Sequence, residues 1–503
     1  MLTRLFEIYM LTPKLLIELK KILPEKVFTS TEVLQKHAGN LFYINNGLPD
    51  AVCYVTSEED VIKVTNFCLH HKIPLIPYGS GTSVEGHIAA TNGGICVDLS
   101  EMNQVIAFSP QDGYVIVEPG IPYNKLNEYL DPYGFHFPVE AGWGASIGGM
   151  VATNASGAGA TDAGSMAKNV VGCSVIVCKD GKASKIKTGT KSPKSSAGYN
   201  LTNLFIGSEG TLGVFTQITL KVRKNFSYHN TVTCQFDDIL QAVNFVVSMK
   251  GFVQFRRVEL LDKLQTEACV SFSGVSYLDP NKITIIMELA GNELAVREEV
   301  KLLIEFLKNN HGINIKIFND KKSAEFIWMM RKNACPAAIQ FINKNKKAMA
   351  TDISVPLSKL AECIDACYEH MERIGLKAPL VAHVGDGNFH FTILVNPDSE
   401  HDLKKALEFN KRIVEEALRR GGTCTGEHGI GLGKKAFLES EHGDSLFVMK
   451  LIKEALDPLK IFNPGKIIDV DRKLHYSHES EIKETSLSSS CMFAPSPMLR
   501  SKI

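Results

Sequence analysis

Two histidines flank a turn signal in Val381-Ala-His383-Val-Gly385-Asp386-Gly387-Asn388-Phe-His390-Phe-Thr392. Asp-Gly between apolar flanks predicts a two-residue type I′ hairpin centred on Asp386-Gly387. In that register Gly385 faces Asn388, Val384 faces Phe389 and His383 faces His390. Opposed residues put their Cβ atoms about 5 Å apart on one face, so two imidazoles can converge on one cation. A pair of half-buried sheet histidines explains the hairpin equally well when it is taken alone. A third ligand shifts that balance. The glycine-rich run from Gly421 to Gly433 places Glu427 beside His428, and a buried acid next to an imidazole needs a partner. His383, His390 and Glu427 then form a two-histidine, one-carboxylate set. Such a set suits Zn²⁺, Mn²⁺ or Fe²⁺, with positions left open for substrate oxygens. It leaves His428 as a base, because imidazole titrates near neutral pH. In the helix-like stretch Trp328-Met-Met-Arg331, Arg331 could grip a carboxylate with two donors. A solvated helical arginine accounts for it as well.

Three small-residue loops carry a second kind of chemistry. The first is Pro77-Tyr-Gly79-Ser80-Gly81-Thr82-Ser83-Val-Glu-Gly86-His87, after a short apolar run. The second runs from Ala141 to Gly157 through Gly144, Ala145, Ser146, Gly148, Gly149, Asn154 and Ser156. The third is Gly207-Ser-Glu209-Gly210-Thr-Leu-Gly213. Bare backbone N–H groups and hydroxyls can cradle a pyrophosphate. The spacing matches neither a Rossmann turn nor a P-loop. Glycine costs conformational entropy on folding, so three such loops point to an extended dinucleotide rather than to scaffolding.

These residues need elements to hold them. Thr12-Pro13 with the run from Lys14 to Leu23 reads as a capped helix, and Glu58–His71 reads as another. Strand-like segments lie at 73–77, 95–99, 105–108, 114–117, 170–178, 182–188 and 214–222, with 141–164 read as loop. Amphipathic helices are predicted at 237–250, 292–309, 357–374, 401–420 and 446–456, and strands at 282–288 and 383–396. This alternation predicts an α+β cap whose antiparallel sheet is covered by helices on one face. From Asp469 the chain turns polar and is expected to be disordered.

Composition sets outer limits. The chain has 503 residues, with Lys+Arg 55 against Asp+Glu 55. A net charge of zero gives no reason to expect nucleic acid as a partner. No apolar run reaches the ~18–20 residues of a membrane span. The 12 cysteines contain no C-x-x-C, which argues against a zinc ribbon or a ferredoxin-type cluster and for reduced, buried thiols. The N-terminus lacks a signal-peptide pattern and makes a poor transit peptide, and Arg500-Ser-Lys-Ile503 only approximates a peroxisomal tail. The expected location is therefore cytoplasmic, or peripheral at a respiratory membrane, with the mitochondrion and peroxisome ranked below.

The glycine loops at 77–87, 141–157 and 207–213, with HVGDGNFH (383–390), GEHGIG (426–431) and IFNPGK (461–466), resemble the vanillyl-alcohol-oxidase type of FAD flavoproteins. Within that type the chain looks like the D-lactate dehydrogenases and the FAD-containing subunit of glycolate oxidase, from about residue 15 to 468. The resemblance implies a helical lead-in over 1–45 and a two-subdomain FAD-binding domain of the PCMH type over 46–225. A cap (substrate) domain would span 226–425, and 426–468 would return to the flavin. It implies flavin contacts from Gly79, Ser80, Gly81, Thr82, Ser83, Gly86 and His87, then from Ala145, Ser146, Gly149, Asn154, Ser156 and Gly157, then from Glu209, Gly210, Gly213, Val214 and Asn463. The flavin should be non-covalent, since Ser80-Gly81-Thr82 stands where covalently linked relatives have a histidine. Ala141-Gly142 replaces the usual Pro-Gly, and Gly157–Gly164 lacks the Arg and Tyr that relatives often carry there.

By the same resemblance, His383, His390 and Glu427 bind a divalent metal, zinc, manganese or iron. His428 accepts the hydroxyl proton, Arg331 helps to hold the carboxylate, and hydride passes from Cα of a D-2-hydroxy acid to flavin N5. Ala350 and Thr392 stand where 2-hydroxyglutarate dehydrogenases tend to have Lys and Asn, which favours lactate or glycolate over D-2-hydroxyglutarate. Electrons would leave to an external quinone, cytochrome, flavoprotein or Fe–S subunit, and a homodimer is allowed. The other readings are a flavin-dependent ether-lipid synthase, a metal hydrolase that borrows the hairpin, and an inactive flavin carrier.

Overall fold

In the computed structural model the described residues are 11–38, 44, 47–142, 144–192, 194–396 and 398–469. The tail expected to be disordered lies outside them, except for Asp469. The Thr12-Pro13 signal opens a helix over Pro13–Ile22, where the Thr12 hydroxyl accepts a bond from the Leu15 amide. Ser57 caps Glu58–His71 in the same way, and three acids fill that helix's first turn.

The first half builds two sheets. One has four strands in the order Val27–Phe28, Ala51–Tyr54, Ile95–Asp98, Leu75–Tyr78. Its last three strands are parallel. The other has five antiparallel strands in the order Val105–Ser109, Tyr114–Val117, Val214–Lys221, Val170–Lys179, Lys182–Gly189. Each carries its own buried apolar cluster. Leu75, at the start of the strand before the first glycine loop, forms a bridge to Phe462, so residues near 462 return to this half. The stretch expected as loop over 141–164 differs from that reading. It holds a helix, Ile147–Thr153, in which Ile147, Met150 and Val151 are buried. Small residues hid the period, since only three positions carry large apolar side chains.

The second half is an eight-stranded antiparallel sheet. Along it run Ile313–Phe318, Tyr228–Phe236, Ile283–Gly291, Arg257–Leu261, Leu380–His383, Asn388–Val395 and Lys347–Ala350, with Ile353–Ser354 also paired to Asn388–Val395. Strand residues alternate between faces. Val258, Leu260, Ala382, Phe389 and Phe391 enter the largest core, under Ile239–Met249, Glu293–Asn309, Leu357–Arg373 and Glu400–Arg419. The intervening residues Arg257, Glu259, His383, His390 and Thr392 therefore share the other face. That face was expected to lack helices. Instead Leu261, Ile286 and Val381 pack with Ala268, Ile327, Met330 and Ala337 from three further helices. These helices close one end of the polar face and leave the histidine end open to a cavity.

Candidate functional site

The hairpin register departs from expectation. The paired residues are Val381 with His390, Ala382 with Phe389, and His383 with Asn388. The turn is thus four residues long, Val384–Gly387, and His383 does not directly oppose His390. Tertiary partners decide this. Ile353 and Ser354 pair with Phe389 and Asn388 from the far side, and the Val355 amide donates to the Gly387 carbonyl at 3.1 Å. A slip of two residues preserves the face, whereas a slip of one would reverse it. The two imidazoles consequently still meet, diagonally, with ring centroids 5.4 Å apart.

Their nitrogens are oriented from behind. His383 Nδ1 lies 2.6 Å from Glu259 Oε1. His390 Nδ1 lies 2.9 Å from the Thr351 carbonyl, so it carries the proton in the neutral ring. Both Nε2 atoms then point at Glu427 Oε1, each at 3.3 Å. In His390 a lone pair faces a carboxylate oxygen, and only a proton or a cation between them relieves the repulsion. Donors held 2.0–2.1 Å from one ion at tetrahedral angles lie about 3.3 Å apart. His383, His390 and Glu427 could therefore hold a divalent cation, with the carboxylate and carbonyl behind the rings in the usual orienting role. Burial pushes the Glu427 carboxyl up, but His383 and His390 more than offset it and hold the group well below its ordinary range.

His428 stacks on His390, with centroids 5.0 Å apart and planes at 19°. Its Nδ1 is buried without a hydrogen-bond partner. Burial, aided by His390 and Lys434, lowers its pKa to about 4 against the pull of Asp352. The ring is thus neutral at physiological pH. Arg331 lines the same cavity, but it is not solvated. Its Nε and Nη2 lie 2.7 and 2.5 Å from Glu259 Oε2. Glu259, fully buried, therefore joins Arg331 to His383. Sequence reading missed Glu259. A lone acid at an inward position of the strand Arg257–Leu261 was the available signal, but its partners lie 72 and 124 residues away.

A cavity of about 1420 Å³ runs from this cluster into the first half. Small-molecule sites are usually about 300–1,000 Å³, so the space suits a dinucleotide together with a small substrate. Its wall includes Gly79, Ser80, Gly81, Thr82, Ser83 and His87, then Ala145, Ser146, Gly149, Ser156 and Gly157, then Glu209, Gly210, Gly213 and Asn463. Ser83 Oγ and His87 Nδ1 are buried there without hydrogen-bond partners, while His87 Nε2 lies 3.3 Å from Glu209 Oε1. Unsatisfied polar atoms along bare glycine backbone are what an extended phosphate-bearing cofactor would satisfy. Ser156 also donates to Glu427 Oε2 at 3.1 Å. Three expected contacts do not reach the cavity. Val214 is buried in a hydrophobic core, Asn154 ends a helix and binds the Ala167 amide, and the Gly86 carbonyl receives the Ala89 amide.

Comparison with known proteins bears on the same regions. Residues 49–187 match the family described as FAD binding domain, and residues 227–467 match FAD linked oxidases, C-terminal domain. The chain is 40% identical to D-lactate dehydrogenase (cytochrome), mitochondrial, of Arabidopsis thaliana, over 92% of this chain and 81% of that protein. It is 37% identical to a probable mitochondrial D-lactate dehydrogenase of Danio rerio, over 84% and 85%. Both names place the relatives in mitochondria, which does not bear out the low rank given to that compartment. Among the described residues no helix is long and apolar enough to cross a membrane. The fold is shared with p-cresol methylhydroxylase at a TM-score of 0.70 and 17% identity, covering 91% of this chain and 96% of that one. The chain thus belongs to the FAD-linked oxidases, in the D-lactate dehydrogenase group, and is an FAD-dependent 2-hydroxy-acid dehydrogenase.

Proposed function

We propose that this enzyme oxidises D-lactate to pyruvate with the help of a divalent cation, and that it passes the electrons to a cytochrome. The observation that carries this reading is the convergence of His383, His390 and Glu427 beside a neutral His428, at the inner end of the glycine-walled cavity. FAD bound in that cavity supplies the hydride acceptor. A cation held by the three ligands would polarise the substrate's hydroxyl and carboxylate oxygens. His428 takes the hydroxyl proton on a ring nitrogen. Arg331, fixed by Glu259, turns its remaining donors toward the substrate carboxylate and is a binding rather than an acid–base group. Ala350 and Thr392, neighbours across two strands, line the cavity near His390. They offer no charge for a second carboxylate, which supports a small monocarboxylate. The acceptor follows the name of the Arabidopsis thaliana relative, and a mitochondrial location follows the names of both relatives. Residues 46–225 would hold the flavin, 226–425 the substrate, and 426–468 would join the two.

The test is anaerobic. Purified protein should be yellow, and D-lactate should bleach the flavin band. L-lactate should fail, and D-2-hydroxyglutarate should bleach at least ~10-fold more slowly. A chelator should slow the D-lactate reaction by ~10-fold or more, and added Zn²⁺ or Mn²⁺ should restore it. No bleaching by any of these acids would overturn the proposal.

A further inference from the structure

The loop that carries Glu427 and His428 is shaped by one buried carboxylate. Asp352 is fully buried. Its Oδ2 accepts from the amides of Gly426, Glu427 and His428 at 2.9, 3.0 and 2.9 Å. The same oxygen accepts from Thr425 Oγ1 at 2.7 Å and Lys434 Nζ at 3.1 Å. Three consecutive amides can converge on one oxygen only if the backbone curls around it, so the carboxylate dictates how the Glu427 and His428 side chains leave the loop. Its other oxygen accepts from Asn388 Nδ2 at 2.7 Å. Asn388 sits on the hairpin between the two histidines. One side chain therefore binds the loop with Glu427 and His428 to the hairpin with His383 and His390. A second carboxylate, Glu209, holds the next part of the loop by the Ile430 and Gly431 amides, at 2.6 and 2.8 Å.

We propose that Asp352 is the positioning residue of this site, setting Glu427 and His428 against the histidine hairpin through the loop amides and Asn388. It does not line the cavity. The inference rests on the proposed cation site for its functional meaning, while its physical content stands on the hydrogen bonds alone.

The experiment uses the full-length flavoenzyme and two readouts, amide hydrogen exchange and Zn²⁺ binding to chelator-treated protein. In Asp352→Asn, the amides of 426–428 should exchange at least ~100-fold faster while Ile430 and Gly431 stay protected. Zn²⁺ affinity should fall ~10–100-fold with flavin content unchanged. Asn388→Ala keeps the loop bonds but cuts the link to the hairpin. It should weaken Zn²⁺ by ~10-fold and leave 426–428 protected. Asp262→Asn removes another buried aspartate, held by Gln265 and Tyr368, and should destabilise without moving either readout. Wild-type exchange at 426–428 in Asp352→Asn overturns the proposal, and so does wild-type Zn²⁺ affinity in both variants. If the wild-type protein itself takes up no Zn²⁺ or Mn²⁺, the cation reading fails, and hydrogen exchange still decides the role of Asp352.

Discussion

His428 differs from the other imidazoles of the site in having no fixed partner. His383 and His390 each have one ring nitrogen bound from behind and the other aimed at Glu427. The His428 Nδ1 has only Glu85 and Asp352 oxygens at 4.0 Å. A group that must gain and lose a proton each turnover works best when neither state is locked by a neighbour. His428→Ala should therefore leave FAD bound, with its visible spectrum intact. It should slow anaerobic flavin reduction by D-lactate by ~10²–10⁴. Reduction at the wild-type rate would remove His428 from the chemistry. The candidate roles of His383, His390, Glu427 and His428 were legible because the chemistry lives in residue type. Glu259 and Asp352 were not, because each acts through partners remote in the chain.

At the scale of elements, one dipeptide makes two different turns. Asp180 and Gly181 adopt φ of 52° and 73°, and Lys179 pairs with Lys182, the two-residue hairpin that Asp-Gly favours. Asp386-Gly387 instead ends a four-residue turn, because Val355 and the strand Ile353–Ser354 hold Gly387 and Asn388 from outside. Local sequence encodes the hairpin and its two histidines. It does not encode the register, since the deciding bonds come from residues more than thirty positions earlier. The histidines still share a face because strand parity survived. The four helices over the largest core of the cap were legible for a related reason. Each repeats its buried positions at helical period, whereas Ile147–Thr153 offers too few large side chains to show one. The contrast predicts unequal glycine substitutions. A Cβ at Gly387, φ +90°, would lie 2.1 Å from the Val355 carbonyl oxygen, while one at Gly181 would meet open space. Gly181→Ala should cost about 1 kcal/mol of strain. Gly387→Ala should cost at least ~2 kcal/mol and weaken Zn²⁺ binding as well. Equal losses in urea unfolding would show that the Gly387 contact does not fix the turn.

At the scale of the whole chain, the two halves meet through charge beside the cavity. Glu140, just before the second glycine loop, accepts from Arg256 Nη2 at 3.3 Å and from Arg257 Nη1 at 3.0 Å. Arg257 also reaches Glu288 on the neighbouring strand at 2.5 Å, and its guanidinium covers the Trp328 ring at 4.0 Å. Burial raises the Glu288 carboxyl, but His229, Arg257 and Arg256 outweigh it and bring the pKa to about 2 from an ordinary 4.5. A depressed acid contributes stability that is fully present above the unfolded value and is lost as pH falls toward the folded one. The full contribution is about 3 kcal/mol at neutral pH, of which about 2 kcal/mol should be gone by pH 3. Glu288→Gln should accordingly be less stable than wild type at pH 7, and the gap should narrow by about 2 kcal/mol between pH 5 and 3. Urea unfolding of both proteins across that range measures it. Curves that stay parallel down to pH 3 would show that the Arg256–Arg257 pair does not hold Glu288 ionised.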